Sequence, residues 1–364
     1  MTDEVSTRPR TRPRKGRGAV TNDPGRFEPH RRAAIDDGWG TADEEPAPLR
    51  TTLTPDNTRT IIARNESPDV PFDRSINPYR GCEHGCVYCF ARPTHAFLGL
   101  SPGLDFESRI FYKPDAAKLL AGELRHPKYD CQVIAMGTNT DPYQPAEREL
   151  GITRAILEVL AAHDHPVGIV TKSALVLRDI DVLAPMAAKG LAQVCVSVTT
   201  LDRGLARRLE PRAATPARRL EAIAGLSAAG IPTGVMAAPV IPVLNDAELE
   251  SILTAGREAG ADIAGYILLR LPLEIKDLFR QWLAEHAPLK AKHVMNMVRA
   301  TRGGRDNDPD FGTRMKGTGP YAELIAQRFR AACNRLGLTQ GERFQLDTTR
   351  FHPPPRAGDQ LKLF

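Results

Sequence analysis

No stretch of this 364-residue chain approaches the run of about 18 or more apolar residues that a helical membrane span needs. No apolar segment follows the basic N-terminus, so a secretory signal is not expected and the chain reads as cytoplasmic. Cysteine is scarce, six in all, which excludes a disulfide scaffold. The body also lacks net charge. Of the formal +5, +4 falls within residues 1–20, where Arg8, Arg10, Arg12, Arg14, Lys15 and Arg17 stand against only Asp3 and Glu4. The remainder is nearly neutral, so composition does not predict a strongly basic nucleic-acid groove.

What is present is a core. Apolar residues make up 41% of the chain, enough at this length to fold without disulfides or a structural metal. The length suits two domains of ordinary size or one α/β barrel. Residues 1–60 form a basic, Pro-rich arm without sustained apolar periodicity and are expected to be disordered, either a solvated tail or a weak electrostatic contact for nucleic acid. From about residue 70 short β-branched runs alternate with helical patterns. Strands are predicted at Arg74–Asn77, Cys131–Met136, Val167–Thr171, Gln193–Thr199, Thr233–Ala238 and Tyr266–Leu269. Helices are predicted at Asp115–Leu124, Glu147–Ala162, Asp179–Ala188, Pro216–Ala229, Asp246–Ala259 and Ile275–His286. Thr215 stands as N-cap before Pro216, and Gly230 follows where a C′ glycine would sit.

Six strand–helix units imply right-handed crossovers and a parallel sheet. They are too few for a closed eight-stranded barrel and suit an open partial barrel or a doubly wound sheet. Either way, ligands gather at the carboxyl ends of the strands. The organised body is expected over residues 61–300, with a C-terminal helical extension over 301–350 that includes a helix at Tyr321–Leu336, and a flexible tail over 351–364.

The strongest signal is Asn77-Pro78-Tyr79-Arg80-Gly81-Cys82-Glu83-His84-Gly85-Cys86-Val87-Tyr88-Cys89. Gly81 and Gly85 let the backbone curl so that three thiolates converge on one centre. Thiolates ligate zinc and iron–sulfur clusters alike. A structural zinc would need His84 or His95 as a fourth ligand. No fourth cysteine lies nearby, since Cys131 and Cys195 fall in predicted strands and Cys333 in a helix, where buried inert thiols are expected. Three ligands on a cluster leave one iron open. The spacing by itself leaves zinc and cluster both standing.

CxxxCxxC with Tyr88 before the last cysteine resembles the signature of radical S-adenosylmethionine enzymes. The stretches Asn77–Cys82, Tyr88–His95 and Leu98–Glu107 resemble the spore photoproduct lyase-like branch of that superfamily, as do Gly16-Arg17-Gly18-Ala19 and the C-terminal tail. The resemblance covers about residues 60–300. It implies a partial (β/α)6 TIM-type barrel holding a [4Fe–4S] cluster on Cys82, Cys86 and Cys89. S-adenosylmethionine would be bound at the open iron and cleaved reductively to a 5′-deoxyadenosyl radical that abstracts hydrogen. A reductant such as flavodoxin or ferredoxin is implied as partner.

The same resemblance assigns cofactor contacts at strand ends. Thr140 and Asp141 follow the second strand, where the other reading is an Asx turn. Lys172 ends the third and suits a carboxylate partner. Ser197, with Thr199 and Thr200, closes the fourth. Arg219, oriented by Glu210, is either a contact to the cofactor or a helix-entry ion pair. Tyr88 belongs to the set through the cysteine motif. Pro239, Pro242 and Arg270 are candidates for the substrate side. Spore photoproduct lyase uses a cysteine near the end of its second strand as hydrogen donor, and this chain has Thr138 about there, so the same reaction does not carry over.

The chain ends Gln360-Leu361-Lys362-Leu363-Phe364, which resembles the short motif by which bacterial repair proteins dock on the DNA sliding clamp. The expected function is therefore a radical S-adenosylmethionine enzyme, lyase-like, acting on an unknown substrate with DNA as a candidate. The alternatives are a non-enzymatic zinc or iron–sulfur protein and a repair accessory recruited through its tails.

Overall fold

The computed structural model describes residues 13–28, 48–340 and 346–355. Arg8, Arg10 and Arg12 of the basic arm, and the Gln360–Phe364 motif, lie outside the described residues.

Among the described residues, eleven strands form two sheets: β1 (Thr52–Pro55), β2 (Ile62–Arg64), β3 (Arg74–Ile76), β4 (Tyr79–Arg80), β5 (Arg109–Tyr112), β6 (Ile134–Met136), β7 (Val167–Thr171), β8 (Ala192–Ser197), β9 (Thr233–Val240), β10 (Ile263–Leu268) and β11 (Thr339–Gln340). The large sheet runs β11-β10-β9-β8-β7-β6-β3-β2, and the small one β1-β5-β4. The six predicted strands are β3, β6, β7, β8, β9 and β10, paired in parallel and in sequence order. Strand β8 is buried throughout, and its apolar run is what a strand covered on both faces requires.

The outer strands differ. β2 pairs antiparallel to β3 and is largely exposed, and β11 adds a short parallel edge beside β10. Among the described residues β2 and β11 are the two outer strands of the large sheet, and the fold is α/β with a mixed sheet.

The predicted helices form with small shifts. Gly151, at φ +63°, divides the Glu147–Ala162 pattern into Glu147–Leu150 and Ile152–Ala162. Pro216–Ala228 starts after an extended Thr215, whose hydroxyl makes no capping bond, and ends before Gly230 at φ +75°. Helices at Arg203–Leu209 and Pro288–Ala300 were not foreseen. The second lacks a preceding turn signal other than Pro288. The Pro320–Leu336 helix packs on Leu249–Glu258 and leads into β11, so the C-terminal extension is continuous with the large sheet.

The disordered arm is corrected for its described part. Residues 17–21 are buried, and residues 52–55 form β1. The apolar periodicity was absent because this segment is held by backbone hydrogen bonds instead, as the site below shows. The flexible tail is corrected likewise over residues 351–355. Phe351 stacks near His165 and Tyr129, and the His352 N–H donates to the carbonyl of His163 at 3.1 Å.

One core lies between the sheet and its helices. A second, formed by Phe279, Trp282, Leu283 and Val298, runs up to Cys86, Val87 and Tyr88 and so carries the cysteine loop. Trp282 donates to the Arg208 carbonyl at 3.0 Å, tying Ile275–His286 to Arg203–Leu209.

Candidate active site

The cysteine loop leaves β4 and turns through two glycines. Gly81 (φ +83°) and Gly85 (φ +69°) both sit where a Cβ would strike neighbours, His95 at 2.8 Å and the Glu107 carboxylate at 2.7 Å. The loop is pinned by its own carbonyls. Arg92, fully buried, donates to the carbonyls of Cys86 (2.8 Å), Gly85 (3.1 Å), Pro102 (3.0 Å) and Gly103 (2.8 Å), and to Glu107 at 2.5 Å. All five guanidinium hydrogens are thereby used.

Glu107 in turn accepts the N–H groups of Gly18 and Ala19, both at 2.8 Å, while Arg17 donates to the Glu107 carbonyl at 2.6 Å. The Gly16–Ala19 motif is thus a strap lying on the cysteine loop. Glu107 and Arg92 lie within the family-like stretches without an expected role; the Glu107 bond to Gly18 spans 89 residues of sequence, whereas those of Arg92 span 6 to 15.

Cys82 and Cys86 are buried, Cys89 nearly so, and none forms a disulfide. Burial first, then Asp141 and the other two thiols, push the Cys82 thiol up; burial and Glu210 do the same to Cys86. Burial also raises Cys89, against the Ala91 and Arg92 N–H groups that face it. Such thiols stay protonated until a cation takes them as thiolates. Among the described residues, no three His, Cys, Asp or Glu side chains are grouped so as to hold a single metal ion. His84 turns its Nδ1 to Asp141 (3.3 Å), and His95 shares a hydrogen bond with the Arg109 carbonyl (3.0 Å). Burial lowers His95 to a pKa of about 4.

The strand ends bring a second group against this loop. Lys172, after β7, donates from Nζ to Ser197 at 2.6 Å and to the Ala238 carbonyl at 3.3 Å. Its Nζ stands 3.9 Å from Glu210 and 6.0 Å from the Tyr88 ring centre. Tyr88 donates to Glu210, which also accepts from Thr199 at 2.6 Å and pairs with Arg219. Burial works against ionising Glu210, but Arg219 and Lys172 hold it down at about 2. Arg219 also donates to the carbonyls of Ala214 (2.8 Å) and Ser197 (2.9 Å). The Glu210–Arg219 pair is buried, and breaking a buried pair costs about 3–5 kcal/mol.

Thr140 and Asp141 are also turned inward. Thr140 donates to the Gly81 carbonyl at 2.6 Å. Asp141 accepts from the Tyr143 N–H (2.9 Å), Thr171 (2.7 Å) and the Lys172 N–H (2.8 Å), and His84 completes its shell. The Asx-turn reading is thus present in the Asp141–Tyr143 bond. Burial opposes ionisation of Asp141, while His84 and these donors hold it at about 2. Both residues brace the cysteine loop against the end of β7. Among the predicted set, Lys172, Ser197 and Tyr88 meet as one polar group beside the loop. Thr138 donates to Asn77 at 3.1 Å. Arg270 lies over Phe90, 5.6 Å from the ring centre. Cys195 and Cys333 are buried as expected, while Cys131 lies ahead of β6, half-buried.

Three buried thiols on a glycine-shaped loop, beside a lysine–carboxylate group at the carboxyl ends of a parallel sheet, define a candidate metal–sulfur centre of an α/β protein. Residues 76–255, just under half of the chain, match the model of the Radical SAM superfamily. An uncharacterized protein of Mycobacterium tuberculosis is 40% identical over 221 residues, covering 60% of this chain and 65% of its own. An uncharacterized protein of Methanocaldococcus jannaschii is 29% identical over 173 residues, 48% of this chain and 62% of its own. The chain thus spans just under two thirds of the length of these curated relatives. Among solved structures, a spore photoproduct lyase variant with bound AdoMet and dinucleoside spore photoproduct superposes with a TM-score of 0.58 at 15% identity, over 79% of this chain and 80% of that one. That likeness is one of fold. Among the described residues no helix is long and apolar enough to cross a membrane.

Proposed function

We propose that this protein is a radical S-adenosylmethionine enzyme whose cluster is held by Cys82, Cys86 and Cys89, and whose large sheet curves as the partial (β/α)6 barrel of that superfamily. The observation that carries the reading is the three-thiol loop itself. Its three thiols lie on one short loop, Cys82 and Cys86 buried and Cys89 half-buried, which is the donor set that a three-cysteine iron–sulfur cluster would take. When bound, a [4Fe–4S] cluster and S-adenosylmethionine supply a 5′-deoxyadenosyl radical for hydrogen abstraction.

The chain's own residues bind and orient. Lys172, part-exposed beside the loop, offers its ammonium to the methionine carboxylate. Tyr88 and Ser197 complete that contact, and Glu210 holds the ammonium in place through charge. Thr140 and Asp141 fix the loop's approach, and Arg219 fixes Glu210.

Nucleic acid with unpaired bases is the substrate class best supported. Each exposed phenylalanine among the described residues lies under a guanidinium: Phe27 and Phe97 under Arg26, Phe90 under Arg270, and Phe311 under Arg314. Such pairs are stacking platforms for bases. All are borne by segments close to the cysteine loop or the end of β10, since Arg26 pairs with Glu274 and the Leu268 N–H bonds the Met315 carbonyl. Electron delivery by flavodoxin or ferredoxin, a cytoplasmic location and docking of the Gln360–Phe364 motif on a sliding clamp complete the proposal.

Anaerobic reconstitution with iron and sulfide tests it. The expected result is a brown protein that makes 5′-deoxyadenosine with dithionite, loses this with Cys82→Ala, Cys86→Ala or Cys89→Ala, and keeps it with Cys333→Ala. Stimulation by single-stranded DNA supports the substrate class. A colourless protein holding one zinc overturns the reading.

A further inference from the structure

A cavity of about 290 Å³ lies in the seam between the two sheets, where β2 of the large sheet meets β4 and the end of β5. It is lined by Asn77, Arg80, Thr94, Lys113 and Asn139 among others. Two cations line it and no carboxylate does.

Lys113 sets this cavity apart. It is only 9% exposed, yet its ammonium makes no hydrogen bond or ion pair among the described residues. By contrast, each buried arginine among the described residues, Arg17, Arg74, Arg92, Arg219 and Arg302, bonds a carboxylate or carbonyls, although the Arg302 Nε is left without a partner. A nearly buried ammonium without a direct partner is costly, and Asp56 and Glu123 act on it only through space, so the fold carries a cation beside a space large enough for a small ligand. Burial first, then the neighbouring Arg80, press the Lys113 ammonium toward its neutral form; Asp56 and Glu123 oppose them, and a bound anion would do so more directly.

The other donors agree. Arg80 pairs through Nε with Asp56 at 2.7 Å, leaving both Nη groups unbonded among the described residues. The Asn77 amide oxygen already accepts from Thr138 and the Asn139 N–H, which leaves its NH2 as a donor. Arg80 stands two residues before Cys82, and Asn139 two before Asp141, so the cavity opens beside the proposed active site.

We propose that this seam cavity is an oxyanion subsite that takes a phosphate group between Lys113 and Arg80. The phosphate comes either from a nucleic-acid backbone, a source that rests on the nucleic-acid reading above, or from a free phosphate anion.

Thermal unfolding of the full chain in phosphate, against chloride at matched ionic strength, tests the subsite. Phosphate is expected to raise the Tm of the wild type and of Lys113→Arg, and to leave Lys113→Met unmoved. In chloride, Lys113→Met is expected to be at least as stable as wild type, because it removes an unpaired buried charge. Equal phosphate shifts in all three proteins, or none in the wild type, overturn the subsite. Fluorescence anisotropy with a labelled single-stranded oligonucleotide separates the sources. A roughly tenfold weaker affinity for Lys113→Met, with competition by inorganic phosphate, assigns the backbone. An unchanged affinity, with the thermal shift retained, assigns a free anion to the same subsite. Cofactor cleavage is measured in parallel: its absence alongside an intact phosphate shift removes the radical reading and leaves this one standing.

Discussion

The two sides of the cysteine loop are built on opposite principles. On the outer side every donor is consumed: Arg92 saturates five bonds, and Glu107 collects Arg92, Gly18 and Ala19 in a site closed to solvent. On the inner side Lys172 retains partial exposure and makes long as well as short contacts, and Phe90 is exposed beneath the Arg270 guanidinium. The outer side fixes geometry, and the inner side keeps polar groups available for a ligand. Rigidity behind a site and spare hydrogen-bonding capacity in front of it are what preorganised binding requires.

Breaking the outer side should have the largest effect. Arg92→Ala leaves Glu107 buried and unpaired and strands four carbonyls, so a loss of about 3–5 kcal/mol in unfolding free energy is expected, with loss of iron after reconstitution. Denaturant unfolding and iron analysis read both. Gly18→Ala is the subtler version. A Cβ there would stand 1.8 Å from the Gly85 carbonyl oxygen, so the strap must lift. About 1–3 kcal/mol should be lost, and the cluster should bleach faster in air than in wild type. An unchanged bleaching rate would mean the strap does not cover the loop.

The inner side should respond differently. Lys172→Met is expected to weaken S-adenosylmethionine binding about tenfold, or about 1.4 kcal/mol, with little change in Tm. A fall in stability as large as that of Arg92→Ala would erase the distinction between the two sides. Thr138→Ala should do least: cofactor cleavage is expected to be unchanged when 5′-deoxyadenosine is counted, since Thr138 meets only Asn77.

The sequence made the six strand–helix units legible because parallel strands buried on both faces read as apolar runs, as Val167–Thr171 does to the residue. The cysteine loop was legible because ligand spacing is local. What escaped was everything held by main-chain bonds between distant segments. The strap at residues 17–21 shows no apolar period, since its burial comes from Glu107 and Arg92. The inward bonds of the strand-end residues escaped for a related reason: Thr140 donates to the Gly81 carbonyl, and Arg219 to those of Ala214 and Ser197, none of which residue type alone announces. Residue type and position locate a site, but only the full set of hydrogen bonds says which groups are left over for a ligand.

The strap also bears on the order of assembly. Gly18 and Ala19 are made long before the carboxylate that receives them, and their seat does not exist until residue 107 has joined the chain. The strap can therefore seat only after the cysteine loop and Arg92 have both been made, so the N-terminal end of the chain is set in place by residues that follow it by some ninety positions.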